Sequence, residues 1–307
     1  MRAASPIAII LNPASGSRRF KPEVIEQLCR SMDVPAEVIS PGERDDISQI
    51  AREQVQRGSR TIVAGGGDGT VNAIAAVLAE SDTALGVLPL GTLNHLSKDL
   101  GIPQNLSDAM RVLAGGESQR IDVGEVNGRI FLNNASLGIY PRIVEQRERD
   151  QQQHRLPKLL ALMKATFNAI RRLVLHRVRI VFNGREIQRR SPFVMVGNNE
   201  YSLEGIDRGT RRSLTAGRLS LLVATPRNRW DIVRLGFRAV FGRLRKDRDF
   251  EVFTAREFDV HVRGKPVRIA LDGEVVRLQS PLRFRIRALS LRVVRPSLNA
   301  PSNGARS

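Results

Sequence analysis

The chain has 307 residues, which is enough for two domains, and its single cysteine, Cys29, excludes an internal disulfide bond. It is 41% hydrophobic, yet no apolar run approaches the ~18 residues of a membrane-spanning helix, so the sequence predicts a soluble protein. The net charge is +18, and the excess of basic side chains lies in residues 121–307, which predicts an anionic partner. Because only 5% of the residues are aromatic, a base-stacking nucleic-acid platform is disfavoured.

Short apolar strands alternate with helices over the first 120 residues. The predicted strands are Ile7–Leu11, Ala36–Ile39, Thr61–Ala64 and Ala84–Leu88. The predicted helices cover Pro22–Met32, Asp45 or Asp46 to Arg57, Ala73–Leu78, and Asn105 or Ser107 to Leu113. This alternation indicates a parallel sheet covered by helices on both faces.

Small and polar turns follow these strands, and ligands of such sheets bind beyond the carboxyl ends of the strands. We therefore expect the turns to line one edge of the sheet; they are Asn12–Ser17, Ser40, Gly65–Thr70 and Gly91–Asn94.

The most distinctive turn holds four glycines around Asp68 and leads directly into a helix. Glycines let the backbone approach a phosphate, and the N–H groups of the helix N-terminus point at it. A carboxylate among phosphates is explained if it binds Mg²⁺, shares a proton or orients a substrate hydroxyl. The alternative is an ordinary tight turn of an α/β protein.

From about residue 121 the pattern changes to the alternation of antiparallel strands, with hairpin signals at Asn127-Gly128 and Asn183-Gly184. This predicts a β-sandwich interrupted by two basic amphipathic helices, Arg155–Leu175 and Trp230–Leu244. Each helix either packs on the sheet or lies in a membrane interface. The later predicted strands are Val178–Phe182, Phe193–Gly197, Arg218–Ala224, Phe258–Arg263, Val267–Leu271, Leu282–Arg287 and Ser290–Val294.

Five motifs together resemble the diacylglycerol kinase catalytic domain family, which includes bacterial lipid kinases and sphingosine kinases. The glycine motif alone is shared with NAD kinases and phosphofructokinases, whereas the first and last motifs separate the lipid kinases from them. The motifs are Asn12-Pro13-Ala14-Ser15-Gly16, Gly66-Gly67-Asp68-Gly69-Thr70, Pro89-Leu90-Gly91-Thr92-Leu93-Asn94, Asn133-Asn134-Ala135-Ser136-Leu137-Gly138 and Leu271-Asp272-Gly273-Glu274.

The resemblance implies an N-terminal parallel α/β nucleotide-binding domain, residues 1–122, and an antiparallel β-sandwich domain with inserted helices, residues 123–296. The composition of the tail, residues 297–307, predicts disorder. The resemblance leaves open whether the last strand packs back on the first domain. It also implies that Glu274 is the general base, with Asp272 beside it and Asp68 in the phosphate or acceptor network. The implied ATP contacts are Asn12, Pro13, Ala14, Ser15, Gly16, Ser40, Gly65, Gly66, Gly67, Asp68, Gly69, Thr70, Val71, Thr92 and Asn94.

Two positions depart from the family pattern. Ala216 stands where some bacterial members hold a structural Mg²⁺ with an aspartate, so we expect that structural metal site to be absent. The Mg²⁺ carried with ATP is still expected. His95 stands where the family often has an acid, which either has no role or changes the acceptor pocket.

The leading hypothesis is therefore an ATP- and Mg²⁺-dependent kinase that phosphorylates a hydroxyl of diacylglycerol or a related lipid. Its expected partners are the lipid substrate and an anionic membrane surface, with no specific nucleic acid, and a homodimer is left open. The expected location is cytoplasmic, with the peripheral inner face of the membrane left open. The alternatives are a kinase for a soluble acceptor such as NAD, and a non-catalytic relative that binds a nucleotide or nucleic acid.

Overall fold

The structure is a computed structural model, and it describes residues 7–12, 21–42, 44–138, 141, 175–200, 211, 213–226, 231, 234, 249–263 and 266–297. The expected tail lies outside the described residues from position 298 onwards. The two expected amphipathic helices also lie outside them, except for isolated positions. The chain divides into two compact units, unit 1 with residues 1–121 and 289–307, and unit 2 with residues 122–288.

Unit 1 is built on parallel strands whose side chains are buried almost without interruption, as in β1, β3 and β4. The order is β2-β1-β3-β4, and Val293 of the last strand of the chain pairs in parallel with Leu85. The strands are β1 Ile7–Leu11, β2 Ala36–Ile39, β3 Thr61–Gly66 and β4 Ala84–Pro89. This arrangement confirms the parallel sheet.

In the described part of unit 1, five helices connect and cover these strands: α1 Pro22–Ser31, α2 Ile47–Gln56, α3 Asp68–Leu78, α4 His95–Asp99 and α5 Leu106–Gly115. Asp46 caps α2 by accepting from the Ser48 N–H at 2.8 Å, and Asn105 caps α5 by accepting from the Asp108 N–H at 2.8 Å. Helix α2 packs with α3, and α1 packs with α5. Two helix pairs of this kind cover the two faces of a parallel sheet.

Unit 2 contains two antiparallel sheets, one ordered β12-β11-β10-β7-β14-β15 and the other containing β13-β8-β9 and the first part of β16. The strands from β5 onwards are β5 Glu117–Val126, β6 Arg129–Phe131, β7 Asn134–Gly138, β8 His176–Phe182, β9 Arg185–Ser191, β10 Phe193–Asn198, β11 Leu219–Ala224, β12 Phe250–Ala255, β13 Glu257–Val262, β14 Val267–Leu271, β15 Glu274–Leu278 and β16 Leu282–Arg295.

Apolar side chains of both sheets form one core, which makes unit 2 a β-sandwich. The ring of Phe182 in β8 lies 5.2 Å from that of Phe253 in the opposite sheet and 5.4 Å from that of Phe258. Both expected hairpin turns are confirmed, because φ is positive at Asn127 and Gly128 and again at Asn183 and Gly184. The predicted fold class is thus confirmed for the strands of both units.

One expectation was wrong. The two strands expected on either side of residues 288 and 289 are a single strand, β16, with residues in both units. Leu289 has φ +50° and is half exposed, so the chain bends there. No glycine, proline, asparagine or aspartate stands at this bend to end the strand, and pairing continues on both sides of it.

Candidate active site

The carboxyl ends of β1, β3 and β4 come together in unit 1, as the sequence predicts. The N–H of Asn12 donates to the carbonyl of Gly65 at 2.9 Å, and its side-chain amide donates to the hydroxyl of Thr70 at 3.1 Å. Asn12 therefore ties the end of β1 to the start of α3.

The loop after β4 joins the same group through a close approach of two glycines. A Cβ on Gly91 would lie 2.5 Å from the Cα of Gly67 and 2.7 Å from the Oδ1 of Asn94, so only glycine fits there. Asn94 adopts the left-handed conformation at φ +52°, and its side-chain amide donates to the carbonyls of Pro89 and Gly91 at 3.2 and 3.1 Å. Gly91 was not among the individually predicted ligands, although it stands in the quoted Pro89–Asn94 motif.

Asp68 has a structural contact that the sequence did not reveal. Its Oδ1 accepts a hydrogen bond from the backbone N–H of His95 at 2.9 Å. The carboxylate at the start of α3 thus holds the start of α4, and His95 takes part through its backbone.

The glycines of the β3–α3 turn differ in what surrounds them. A Cβ on Gly65 would lie 3.0 Å from the Leu11 side chain, and one on Gly66 would lie 2.6 Å from the Thr70 hydroxyl. A Cβ on Gly69 would meet no atom of the described residues within 4 Å, and Gly69 is exposed. Packing therefore explains the first two glycines, whereas Gly69 leaves open space beside the first turn of α3.

The remaining predicted ATP contacts differ in their exposure to solvent. Ser40 is exposed at the end of β2, and Thr92 is exposed in the loop after β4. Val71 is buried within α3, so only its backbone could contact a ligand. Residues 13–16, which hold Pro13, Ala14, Ser15 and Gly16, lie outside the described residues.

These features together can hold an anion. Gly67 is the N-cap of α3, so the N-cap position supplies no capping side chain. The first N–H groups of a helix lack partners within the helix and carry the positive end of its dipole. Gly69 is exposed, and among the described residues no atom lies within 4 Å of the position of its missing Cβ.

In unit 2, a two-residue hairpin turn joins β14 to β15, and Glu274 is the first residue after this turn. Asp272 and Gly273 form the turn, with φ of +47° and +91°. Glu274 is exposed, and the described part of the chain gives its carboxylate no hydrogen bond or ion pair. This motif therefore forms a hairpin turn, and the turn leaves Glu274 open to solvent.

The carboxylate of Asp272 faces backbone. It accepts from the N–H groups of Leu132, Asn133 and Asn134, the first at 2.6 Å, the second at 2.8 Å and the third at 2.9 Å. Burial raises the pKa of Asp272, while these three N–H donors and the charge of Arg211 act to lower it. Its oxygens fix the segment before β7, which is a structural task.

Ala216 has no side-chain oxygen that could bind a metal ion, and hydrogen bonds of neighbouring residues hold the segment that contains it. The Gly217 N–H donates to Oδ2 of Asp122 at 2.7 Å, and the Asp122 N–H donates to the Leu214 carbonyl at 2.8 Å. Among the described residues, no group of three or more His, Cys, Asp or Glu side chains could hold a metal ion.

The described residues also contain no helix that is long and apolar enough to cross a bilayer.

Comparison with known proteins gives two family matches that cover most of the chain. Residues 6–126 match the diacylglycerol kinase catalytic domain, and residues 141–295 match the YegS C-terminal NAD kinase beta sandwich-like domain. These two matches follow each other along the chain in the order of the two units.

Curated relatives carry lipid kinase names. The chain is 36% identical over 143 residues to "Probable lipid kinase YegS-like" of Enterobacter sp. (strain 638), a match that covers 45% of this chain and 48% of that protein. The chain therefore spans about half the length of this relative. It is also 28% identical over 275 residues to a diacylglycerol kinase of Bacillus subtilis (strain 168), covering 87% of this chain and 88% of that one.

Solved structures share the fold. A diacylglycerol kinase from Bacillus anthracis str. Sterne superposes with a TM-score of 0.68 at 18% identity, covering 95% of this chain and 97% of that chain. Yeast NADH kinase in complex with NADH is more distant, with a TM-score of 0.51 at 12% identity, covering 99% and 90%. Both likenesses concern the fold alone.

Proposed function

The chain belongs to the diacylglycerol kinase family of lipid kinases, and from that premise we propose that it transfers the γ-phosphoryl group of ATP to a lipid hydroxyl. Diacylglycerol is the acceptor that we propose first. One observation carries the proposal, namely that Asn12, Gly67, Asp68 and Asn94 join three strand ends around the N-terminus of α3, where the N-cap is a glycine.

The donor nucleotide is proposed to lie with its phosphates at this N-terminus. Residues of the three strand ends supply the contacts: the backbone of Gly67 to Val71, the amide of Asn12 and the exposed Thr92. Mg²⁺ that arrives with ATP would neutralise phosphate charge during transfer. Asp68 keeps one carboxylate oxygen engaged with His95, which leaves the other for the phosphate or acceptor network.

The acceptor hydroxyl needs a base, and we propose Glu274 for that task. Its exposed carboxylate has no structural contact among the described residues, whereas that of Asp272 is used by three backbone N–H groups. A general base that accepts the hydroxyl proton contributes typically about 10²–10⁴-fold in rate. Asp272 is a positioning residue in this proposal, because it fixes the hairpin from which Glu274 projects.

The test is incubation of the purified protein with labelled ATP and Mg²⁺ in the presence of diacylglycerol vesicles, other lipids or NAD. Label in the lipid fraction is the expected result. Label only in NAD would support the soluble-acceptor alternative, and no transfer to any acceptor would support the non-catalytic one. Glu274→Gln should lower kcat by about 10²-fold or more while ATP binds as before. Full activity of this variant would reassign the base.

We also propose that the protein acts at an anionic membrane surface, because its basic charge is concentrated in residues 121–307. Each surface lysine or arginine near such a membrane contributes about 1 kcal/mol. The described residues contain no spanning helix, so this proposal concerns peripheral contact.

A further inference from the structure

A groove of about 610 Å³ lies on one face of the β13-β8-β9 sheet in unit 2 and is lined mainly by basic side chains. Along β8, Val178 and Ile180 point into the sandwich core, whereas Arg177 and Arg179 are exposed on the opposite face. The groove is therefore formed by the face of the sheet that points away from the core.

Three arginines cross this groove in one row, two of them on the adjacent strands β8 and β9 and the third immediately after the end of β13. Arg177 of β8 is directly opposite Arg190 of β9. Arg263 follows Val262, whose partner is Val178, so the register places Arg263 beside Arg177 on the other side. All three side chains are exposed and line the groove.

Carboxylates neutralise other arginines of this sheet. Arg179 forms an ion pair with Glu186 at 3.2 Å, and Arg189 pairs with Glu251 at 3.0 Å. Within the described part of the chain, Arg177, Arg190 and Arg263 take part in no ion pair, and the groove lining contains no aspartate or glutamate.

Like charges directly opposite each other in a sheet destabilise it. Three guanidinium groups in one row therefore weaken the free protein, and an anion between them would relieve the repulsion. Guanidinium groups match phosphate oxygens in two-point hydrogen bonds, and ligand sites commonly measure about 300–1,000 Å³. The volume of the groove exceeds that of inorganic phosphate alone and suits a phosphate carried on an organic group.

We propose that this groove, defined by Arg177, Arg190 and Arg263, binds the phosphate group of an anionic ligand. The chemistry is the same for a phospholipid headgroup and for a soluble phosphate ester. None of these arginines takes part in the proposed phosphoryl transfer, so the proposal does not depend on kinase activity.

The experiment uses the full chain and two probes. One probe is vesicles of phosphatidylglycerol in phosphatidylcholine, followed by co-sedimentation, and the other is glycerol 3-phosphate, followed by its effect on Tm. The groove variant carries Arg177→Gln, Arg190→Gln and Arg263→Gln. The matched control carries Arg129→Gln, Arg185→Gln and Arg256→Gln, which remove the same charge from exposed positions of unit 2 outside the groove.

Wild type should bind at least one probe, the groove variant should bind it tenfold or more weakly, and the control should stay within twofold of wild type. Binding of the vesicles alone assigns a lipid headgroup, and binding of glycerol 3-phosphate assigns a soluble ester. Absence of binding to both probes by wild type would overturn the proposal, as would equal losses in the two variants.

Stability provides an independent measurement. Without phosphate and at low salt, the groove variant should have a higher Tm than the control, because only the groove variant loses the cross-strand repulsion. A lower Tm in the groove variant than in the control would mean that the arginines stabilise the sheet themselves, which contradicts the proposal.

Discussion

At the scale of single residues, substitution of Gly69 can test a role in ligand binding without disturbing the packing of the fold. A Cβ at this position would meet no atom of the described part of the chain within 4 Å, and alanine is favoured over glycine in a helix by about 0.5–1 kcal/mol. We expect Gly69→Ala to keep or raise the Tm and to weaken ATP binding tenfold or more, because the methyl group occupies the space proposed for a phosphate. Thermal melts and ATP titrations of one preparation test both statements.

Gly66→Ala is the matched control for Gly69→Ala, since its Cβ would lie 2.6 Å from the Thr70 hydroxyl within the buried turn. Overpacking of this kind costs about 1–3 kcal/mol, so Gly66→Ala should lower the Tm. If Gly69→Ala binds ATP as tightly as wild type, the phosphates do not approach α3 at this position.

The two acidic residues of the β14–β15 turn should respond to substitution in opposite ways. Asp272→Ala leaves three backbone N–H groups without their acceptor, and each buried unsatisfied donor costs about 1–3 kcal/mol, so a large fall in the free energy of unfolding is expected. Glu274→Gln is exposed and should change stability by less than about 0.5 kcal/mol.

Urea unfolding of both variants measures this difference in stability. Equal and small effects would show that the hydrogen bonds of Asp272 contribute little. A large loss of stability in Glu274→Gln would point to a structural task for Glu274 and would weaken its proposed role as the base.

At the scale of secondary-structure elements, Asp68 links α3 to α4 through a single hydrogen bond. Asp68→Ala removes the acceptor for the His95 N–H and should cost about 1 kcal/mol, similar to the loss of a helix cap. Asp68→Asn keeps an acceptor oxygen and should retain most of that stability while losing the negative charge.

Comparison of Asp68→Ala and Asp68→Asn separates the hydrogen bond from the charge, with urea unfolding and phosphoryl transfer as the two measurements. Both variants should lose most of the transfer activity if the charge of Asp68 acts on the phosphate network. Wild-type activity in Asp68→Asn would restrict Asp68 to holding α4.

The sequence predicted those elements whose burial or turn geometry requires a recognisable pattern of residues. The buried strands β1, β3 and β4 have nearly continuous apolar residues, and the two Asn-Gly hairpin turns require the positive φ that asparagine and glycine tolerate. Strand β9 was missed because it lies at the edge of its sheet and carries mostly charged and polar side chains, Arg-Glu-Ile-Gln-Arg-Arg-Ser. Strand β9 forms because its backbone pairs with β8, whereas its own residues show no strand pattern.

The candidate site was also predictable only in part, namely in which turns come together. The strand–turn–helix pattern predicted that Asn12, Gly67 and Asn94 would come together, because the carboxyl ends of parallel strands meet at one edge. The partners of the carboxylates were not predictable, because the contacts of Asp68 with residue 95 and of Asp272 with residues 132–134 join positions distant in sequence. Such contacts depend on the packed fold and not on local pattern.

At the scale of the whole molecule, the separation of charge along the chain bears on the proposed contact with an anionic membrane. Residues 121–307 carry a net charge of +20, while the first 120 residues carry a net charge of −2, which gives the total of +18. Electrostatic attraction is screened as the Debye length falls from about 30 Å at 0.01 M salt to about 3 Å at 1 M salt. Contact made by inserted apolar side chains would not weaken in this way.

We therefore expect the full chain to sediment with phosphatidylglycerol vesicles at low salt, to lose tenfold or more of this affinity near 0.5 M salt, and to ignore pure phosphatidylcholine vesicles. Vesicle binding measured across a salt series tests this expectation. The difference in affinity between wild type and the groove variant measures the contribution of Arg177, Arg190 and Arg263. Affinity that persists in high salt would instead indicate an apolar contact, of the kind that the basic amphipathic segment Trp230–Leu244 suggests from its sequence.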